Sequence, residues 1–288
     1  MTTSTQGGEL AVVTGASTGI GAATARELAR LGFHVLAGVR RERDGDTIRG
    51  PGIEPLILDI TVPDHISSLS ARVNEDPHGR PLRALVNNAG AGINVPIEAF
   101  AIDDWRKLFE VNLFGHVAVT QTLLPALIGN KGRVINISSV GGRVAMATYG
   151  PYAGTKFALE AVSDSLRREM APLGVHVVVV EPGAVRTEML RRAGTTTYQL
   201  PPELAQRYSG LVHAVTAQAA ASSKSGLSAD DAAKVIARAV TARKPRTRYA
   251  IGREAALATR LARFAPDRML DRLFARALRP HMRPEKSR

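Results

Sequence analysis

The chain has 288 residues, of which 44% are hydrophobic, and carries a formal net charge of +12 at pH 7. It contains no cysteine, which excludes disulfides, thiolate metal sites and a cysteine nucleophile, and we predict no metal site. No apolar run reaches the roughly eighteen residues that a bilayer span requires, and the start lacks the basic and apolar regions of a secretory signal. We therefore expect a cytoplasmic protein.

Short apolar runs alternate with amphipathic segments along most of the chain. Strands are predicted at 9–15, 33–39, 53–60, 82–90, 132–139, 174–183 and 247–252. Helices are predicted between or after them, notably at 103–127, 152–173 and 229–243. Because strands that alternate with helices require right-handed crossovers, this order predicts an α/β fold with a doubly wound parallel sheet and helices on both faces.

No linker interrupts the alternation, so we predict one domain over residues 1–288. Its core spans 9–183, followed by a loop-rich lid at 184–227, a final helix and strand at 228–252, and a basic tail at 253–288. Within the lid, the alanine- and serine-rich stretch 217–226 is predicted to be mobile.

The basic tail contains ten Lys or Arg residues and four Asp or Glu residues. Leu270, Leu273, Phe274 and Leu278 share one helical face, which could lie on an anionic membrane or pack on the lid or on a second subunit. Since Pro266 divides the tail into two short helices, we favour packing over a weak peripheral membrane contact. The tail lacks interleaved aromatic residues, so no nucleic-acid partner is predicted.

A glycine-rich turn, "TGASTGIG" at 14–21, lies between the first predicted strand and helix. Gly15 permits a tight turn, Gly19 lets the backbone approach a ligand, and Gly21 lets the helix pack closely. The N-terminus of the helix offers unpaired N–H groups to a pyrophosphate, and Ser17 and Thr18 add hydroxyl groups. The turn therefore predicts a dinucleotide site.

The end of the second strand indicates which nicotinamide cofactor is bound. An acidic residue there binds a ribose 2′-hydroxyl, whereas an arginine accommodates a 2′-phosphate. The chain has "GVRRER", with Arg40 directly after Val39 and no carboxylate at the strand end. This favours NADP(H) over NAD(H).

Tyr152 and Lys156 are four residues apart on a predicted helix, and therefore share one face. An ammonium near a phenol favours the phenolate, which makes the tyrosine a usable acid or base near neutral pH. Ser139, at the end of the fifth strand, can hydrogen-bond the same substrate oxygen. Tyr149 has no lysine four residues later, so we interpret it as a packing residue.

Seven motifs in order resemble the short-chain dehydrogenase/reductase family, whose fold is the Rossmann fold, across residues 9–252. They are "TGASTGIG", "LDI" at 58–60, "NNAG" at 87–90, "VNLFG" at 111–115, "ISS" at 137–139, "YAGTK" at 152–156 and "EPGAVRT" at 181–187.

The resemblance implies a catalytic tetrad of Asn112, Ser139, Tyr152 and Lys156. Tyr152 would be the general acid/base, Ser139 would hold the substrate oxygen, and Lys156 would lower the pKa of the tyrosine and contact the nicotinamide ribose. Asn112 would hold a water in a proton relay. The implied cofactor-binding residues are Gly15, Ser17, Thr18, Gly19, Ile20, Gly21, Arg40, Asp59, Asn88, Tyr152, Lys156, Val185 and Thr187.

Longer stretches, including "GRVINISSVGGRVA" and "LEAVSDSLRREMAPLGVHVVVVEPG", are similar to the retinol and hydroxysteroid dehydrogenase branch. That branch acts on bulky, apolar alcohols and ketones. Members of the family are commonly dimers or tetramers, and we expect the helices at 103–127 and 152–173 to form the contact surfaces between subunits. Two alternatives remain: a 3-oxoacyl thioester reductase, with Arg186, Arg191 and Arg192 near a phosphate, and a cofactor-sensing protein without turnover.

Overall fold

The computed structural model describes residues 8–189 and 198–282. Seven parallel strands form one sheet in the order β3-β2-β1-β4-β5-β6-β7, which confirms the predicted doubly wound α/β fold. The strands are β1 (Leu10–Val13), β2 (His34–Val39), β3 (Ile53–Ile57), β4 (Leu82–Asn87), β5 (Arg133–Ile137), β6 (His176–Pro182) and β7 (Arg248–Ile251). The strand order reverses between β1 and β4, where open α/β sheets place their ligands.

Helices connect the strands and continue beyond them. They are α1 (Gly19–Arg30), α2 (Glu42–Ile48), α3 (Pro63–Asn74), α4 (Ile102–Phe109), α5 (Gly115–Gly129), α6 (Gly150–Met170), α7 (Pro202–Ser225), α8 (Ala229–Thr241), α9 (Arg253–Phe264) and α10 (Asp267–Leu278). A single wide π turn, Glu110–Phe114, joins α4 to α5.

Side chains on the strands alternate between two cores, one on each face of the sheet. Ala11 and Val13 face a core that includes residues of α1 and α8, whereas Leu10 and Val12 face a core that includes residues of α3 and α5. Because both faces are covered, the strands are apolar at most positions.

Most predicted strands extend two or three residues beyond the observed carboxyl ends. The prediction 53–60 continues past Ile57, 82–90 past Asn87 and 132–139 past Ile137. The extra residues are loops at one edge of the sheet, since polar side chains there bind neighbouring backbone groups instead of continuing the ladder.

The prediction that the lid is rich in loops is wrong for most of the described lid. Residues Pro202–Ser225 form the 24-residue helix α7, which includes nearly all of the stretch 217–226. Alanine has the highest helix propensity, and Pro202 suits the first helical turn, so the alanine-rich composition favours a helix. Pro266 separates α9 from α10, as predicted, and α10 packs on α7.

One helical stretch of the described residues, 102–129, is long and apolar enough to cross a membrane by length and composition alone. This differs from the expectation that no run reaches that length. The core helix of a soluble protein passes the same test, and Val119, Leu123 and Leu127 of this stretch are fully buried in the core.

Candidate active site

The glycine-rich turn joins β1 to α1 beside the carboxyl end of β4. Gly15 has φ +63°, and a Cβ there would lie 2.7 Å from Ala89 Cα, so no larger residue fits without backbone movement. A Cβ on Gly21 would lie 2.3 Å from the Gly15 carbonyl oxygen and 2.4 Å from Asn88 Nδ2. Gly21 therefore lets α1 approach the turn and the end of β4.

The N-terminus of α1 has no capping side chain from its own N-cap residue. Thr18 is the N-cap residue, but its side chain makes no capping hydrogen bond, and the first turn contains no acidic residue. Ser17 is half-buried, Thr18 is exposed, and Ile20 packs against the core. The unpaired N–H groups and the helix dipole of this terminus suit the pyrophosphate of a dinucleotide.

Asn88 holds the turn against β4. Its Nδ2 donates to the carbonyl oxygens of Thr14 and Gly15 at 3.0 and 3.1 Å. Thr14 Oγ1 in turn accepts from the backbone N–H groups of Asn88 and Ala89. Sequence reasoning missed Thr14, whose signal was a polar residue at the end of an otherwise apolar strand.

Arg40 and Asp59 follow β2 and β3 at the same edge of the sheet. Arg41 is paired with Asp44 at 2.8 Å, but in the described part of the chain no hydrogen bond or ion pair involves the exposed Arg40. Asp59 Oδ1 accepts from Thr61 N and Oγ1. Burial disfavours its charged form, but the Thr61 hydrogen bonds and nearby Arg40 lower the pKa of Asp59 overall.

Val185 and Thr187 follow β6 and lie beside the glycine-rich turn. Val185 is buried and forms a parallel bridge with Leu227. A Cβ on Gly19 would lie 3.2 Å from Thr187 Cγ2, so this segment borders the N-terminus of α1. The structure thus brings the sequence-predicted cofactor-binding residues to one edge of the sheet.

Ser139 and Tyr152 meet where β5 ends and α6 begins. A Cβ on Gly141 would lie 3.2 Å from Tyr152 Cε1 and 3.4 Å from Ser139 Oγ, so the two side chains are neighbours, and Ser139 Oγ accepts from Gly141 N at 3.0 Å. The Tyr152 side chain is buried and packs edge-on against Tyr149, with ring centroids 5.9 Å apart. Tyr149 is therefore a packing partner of Tyr152.

Lys156 lies one helical turn after Tyr152 and is also buried. Its Nζ donates to the Ile137 carbonyl oxygen at 2.9 Å and lies 6.0 Å from the centre of the Tyr152 ring. Burial lowers the pKa of Lys156 to about 8, against the opposing charge of Glu160.

The pKa of Tyr152 differs from the expectation drawn from its lysine neighbour. Burial raises this pKa to about 12, although the neighbouring Ser139 side chain acts in the opposite direction. Desolvation of the phenolate therefore determines this pKa in the free protein, and the hydroxyl remains protonated at neutral pH.

Asn112 lies in the wide turn between α4 and α5 and is fully buried. Its Oδ1 accepts from Ala91 N at 2.8 Å, and its Nδ2 donates to Ala91 O at 2.8 Å and Thr155 Oγ1 at 3.1 Å. A Cβ on Gly90 would lie 3.3 Å from Asn112 Oδ1 and 3.9 Å from Lys156 Nζ. Asn112 therefore holds the loop that borders Lys156. Thr155, which binds Asn112, has no separate signal in the sequence.

The segment after β6 closes one side of this site. Tyr198 and Leu200 pack on an apolar cluster that includes Phe100 and Trp105, and the Tyr198 hydroxyl accepts from Ala101 N. In α7, the Tyr208 hydroxyl donates to Glu98 Oε2 at 2.7 Å. Contacts with 97–105 thus anchor the lid.

Arg186 donates to the Gly226 carbonyl oxygen at 2.6 Å. The other two arginines considered for a phosphate, Arg191 and Arg192, lie outside the described residues.

Known proteins resemble this chain over most of its length. The model of the short chain dehydrogenase family matches residues 9–198. Retinol dehydrogenase 5 of Mus musculus is 36% identical over 272 residues, which cover 90% of this chain and 85% of that protein. The NADPH-dependent 3-dehydrocapnine reductase of Ornithobacterium rhinotracheale is 33% identical over 279 residues, covering 93% of this chain and 97% of that protein.

A solved structure shows the same likeness. The short chain dehydrogenase of Burkholderia cenocepacia J2315 in complex with NADP has a TM-score of 0.73 and 28% identity, covering 94% of this chain and 98% of that chain. With a phenol, a serine and a lysine converging beside a dinucleotide-type turn, the chain belongs to the short-chain dehydrogenase/reductase family and is close to its retinol dehydrogenase branch.

Proposed function

We propose that the protein transfers a hydride between NADP(H) and the carbonyl or alcohol carbon of an apolar substrate, with Tyr152 as general acid/base. The observation that carries this proposal is the Tyr152 side chain, which lies beside Ser139 Oγ and has its ring centre 6.0 Å from the Lys156 ammonium. The nicotinamide supplies or accepts the hydride, and the protein supplies orientation and the proton.

Each member of the set has a separate task. Ser139 Oγ orients the substrate oxygen towards Tyr152, and the Tyr152 hydroxyl donates a proton to that oxygen when a carbonyl is reduced. Lys156 stabilises the phenolate that remains. Because burial keeps the Tyr152 hydroxyl protonated at neutral pH, the free protein holds Tyr152 in the form that donates a proton in carbonyl reduction.

Exposed apolar side chains near the site support an apolar substrate. Ile97 is 66% exposed, and a Cβ on Gly150, two residues before Tyr152, would lie 2.8 Å from Ile97 Cδ1. Met189 is 40% exposed and covers Gly92 in the loop that Asn112 holds. A steroid-, retinoid- or lipid-like ketone could cover both side chains and remove them from water.

The test of this function is a screen that follows NADPH absorbance with apolar ketones, steroids, retinal and 3-oxoacyl thioesters. Consumption with apolar carbonyl compounds is the expected result. Turnover of thioesters alone would favour a reductase of acyl thioesters, whereas cofactor binding with no turnover of any compound would favour a cofactor-sensing protein.

Arg40 is proposed to select NADP(H), because its guanidinium is exposed at the end of β2 and is engaged by no described residue. The Arg40→Ala variant is expected to weaken NADP(H) binding by roughly ten- to a hundredfold and to leave NAD(H) binding nearly unchanged, since a charged hydrogen bond contributes about 1.5–3 kcal/mol. Titration of both cofactors measures the difference. Arg41→Ala is the matched control, and an equal loss of both cofactors in Arg40→Ala would contradict the assignment.

A second copy of the chain is proposed to cover α5 and α6. Phe114, Phe157 and Val162 are exposed there, and a groove of about 320 Å³ lies between the two helices. Placing a charge on this face should prevent association, so Val162→Arg is expected to sediment as a monomer while the wild type sediments as a dimer or tetramer. Leu257→Arg, at an exposed leucine of α9, is the control, and an unchanged assembly in Val162→Arg would exclude this face.

A further inference from the structure

His116 is a buried, ionisable side chain that has no part in the reaction described above. It lies in the first turn of α5, about one helical turn after Asn112, and is 1% exposed. Its Nε2 atom lies 2.6 Å from the Ala89 carbonyl oxygen. His116 therefore contacts the same loop that Asn112 holds through Ala91.

The hydrogen bond to Ala89 fixes which ring nitrogen of His116 carries the proton. A carbonyl oxygen can only accept, so Nε2 is the donor. Nδ1 is buried and has no hydrogen-bond partner in the described part of the chain, where a proton would need an acceptor. Burial, and then the charge of Lys156, lower the pKa of His116 to about 3, against the Ala89 hydrogen bond. The ring is therefore neutral near pH 7, with its proton directed at the loop.

The loop that His116 binds lies between the glycine-rich turn and the catalytic lysine. A Cβ on Gly15 would lie 2.7 Å from Ala89 Cα, and a Cβ on Gly90 would lie 3.9 Å from Lys156 Nζ. Ala89 N also donates to Thr14 Oγ1 at 3.0 Å. A dinucleotide that extends from the glycine-rich turn to Lys156 must therefore pass Ala89 and Gly90.

The peptide between Ala89 and Gly90 has a defined orientation because its carbonyl group is bound. In a trans peptide the C=O and N–H groups point in opposite directions. Since the Ala89 carbonyl oxygen is turned towards α5, the Gly90 N–H is turned away from it. Gly90 is half-buried, and within the described residues its N–H donates to no protein group. This N–H is therefore available to a ligand.

We infer that His116 is a positioning residue for cofactor binding: its Nε2–H holds the Ala89 carbonyl oxygen, and the Gly90 N–H is thereby presented to the nicotinamide cofactor. The inference rests on the proposed function for the cofactor, and not for the hydride transfer. Without the His116 hydrogen bond the Ala89–Gly90 peptide can rotate, and binding must then order it, which lowers the affinity. His116 acts through the loop and does not itself touch the cofactor.

The test is titration of the free protein with NADPH, followed by the fluorescence of the bound cofactor. His116→Leu removes the donor and keeps a side chain of similar size. It is expected to weaken NADPH binding by roughly two- to tenfold, because the loss is limited to the contribution of one hydrogen bond. His116→Gln should bind NADPH as the wild type does, since an amide N–H can replace the ring N–H.

Ser163→Ala is the matched control for a lost buried hydrogen bond. Ser163 Oγ accepts from Asn136 Nδ2 at 2.8 Å, and neither residue belongs to the loop that His116 binds. This variant should keep the NADPH affinity of the wild type. Unchanged affinity in His116→Leu would overturn the inference, and so would an equal loss in Ser163→Ala or in His116→Gln.

NMR of the wild type provides a second test that needs no variant to fold. The ring nitrogens of His116 are expected to show the proton on Nε2 at neutral pH, and the Gly90 amide signal is expected to shift when NADPH is added. A proton on Nδ1, or a Gly90 amide that NADPH leaves unchanged, would also overturn the inference. Neither test needs turnover, so a wild type that binds NADPH and reduces no carbonyl compound contradicts the proposed hydride transfer and leaves the role of His116 intact.

Discussion

Tyr152→Phe is expected to remove turnover, with a loss of at least about 10²–10⁴-fold, while cofactor affinity is retained. Phenylalanine keeps the buried ring and its edge-on contact with Tyr149, and it removes only the hydroxyl group. The proton then has no donor at the substrate oxygen. Steady-state rates with any accepted carbonyl compound, together with NADPH titration, measure the two quantities separately.

Tyr149→Phe provides the matched control for this experiment. Tyr149 lies three residues earlier, its ring is 5.9 Å from that of Tyr152, and Ala153 stands where a lysine would be needed. It should therefore keep most of the wild-type rate. Normal turnover in Tyr152→Phe, or an equal loss in both variants, would show that the Tyr152 hydroxyl is not the acid/base.

The sheet could be predicted from the sequence because both of its faces are buried. Continuous apolar runs such as 177–180 then stand out from the helices between them, and the sequence predicts all seven strands in order. The strand ends were harder to place. Polar residues such as Asn88 and Ser139 directly follow the apolar runs, so the sequence pattern includes them in the predicted strands. In the structure their side chains bind the backbone of neighbouring loops instead.

The lid and the supporting residues of the site depend on contacts between residues far apart in the chain, which no local sequence pattern shows. Helix α7 is held by Glu98, more than 100 residues earlier, through Tyr208 and Arg207. The pairing of Arg248 with Glu160 likewise spans 88 residues. Glu160 carries a periodicity signal, four residues after Lys156, but only the fold shows that β7 covers it.

The sequence predicts which ionisable groups lie at the site, but it does not predict which effect decides their pKa values. The spacing of Tyr152 and Lys156 predicts that the two side chains share one face of α6, and the Lys156 Nζ atom lies 6.0 Å from the centre of the Tyr152 ring. It does not reveal that both groups are buried, so that desolvation raises the pKa of the phenol and lowers that of the ammonium in the free protein. The depth of burial depends on the whole fold.

The buried charge of Lys156 is expected to support activity and to lower the stability of the fold. Lys156→Met keeps the length of the side chain and removes the charge, so we expect turnover to fall by about 10²–10⁴-fold, as in Tyr152→Phe. The stability of the fold should not fall with it. The pKa of Lys156 is about 8 in the folded protein and 10.5 in its ordinary state, so at pH 7 the buried charge costs a few kcal/mol.

The methionine variant relieves this cost and loses one hydrogen bond, to Ile137, that contributes about 1 kcal/mol. Glu160 remains paired with Arg248. The larger effect is the relief of desolvation, so at pH 7 the free energy of unfolding of Lys156→Met should equal or exceed that of the wild type.

The difference in stability between the wild type and Lys156→Met should depend on pH in a definite direction. Between pH 8 and 10.5 the folded wild type binds fewer protons at Lys156 than the unfolded chain does, so its stability gains from this group as the pH rises. The advantage of Lys156→Met should therefore shrink over that range. Denaturant unfolding of both proteins at pH 7 and pH 10 measures the two differences. A variant that unfolds more easily than the wild type at pH 7 and still turns over substrate would make Lys156 a structural residue.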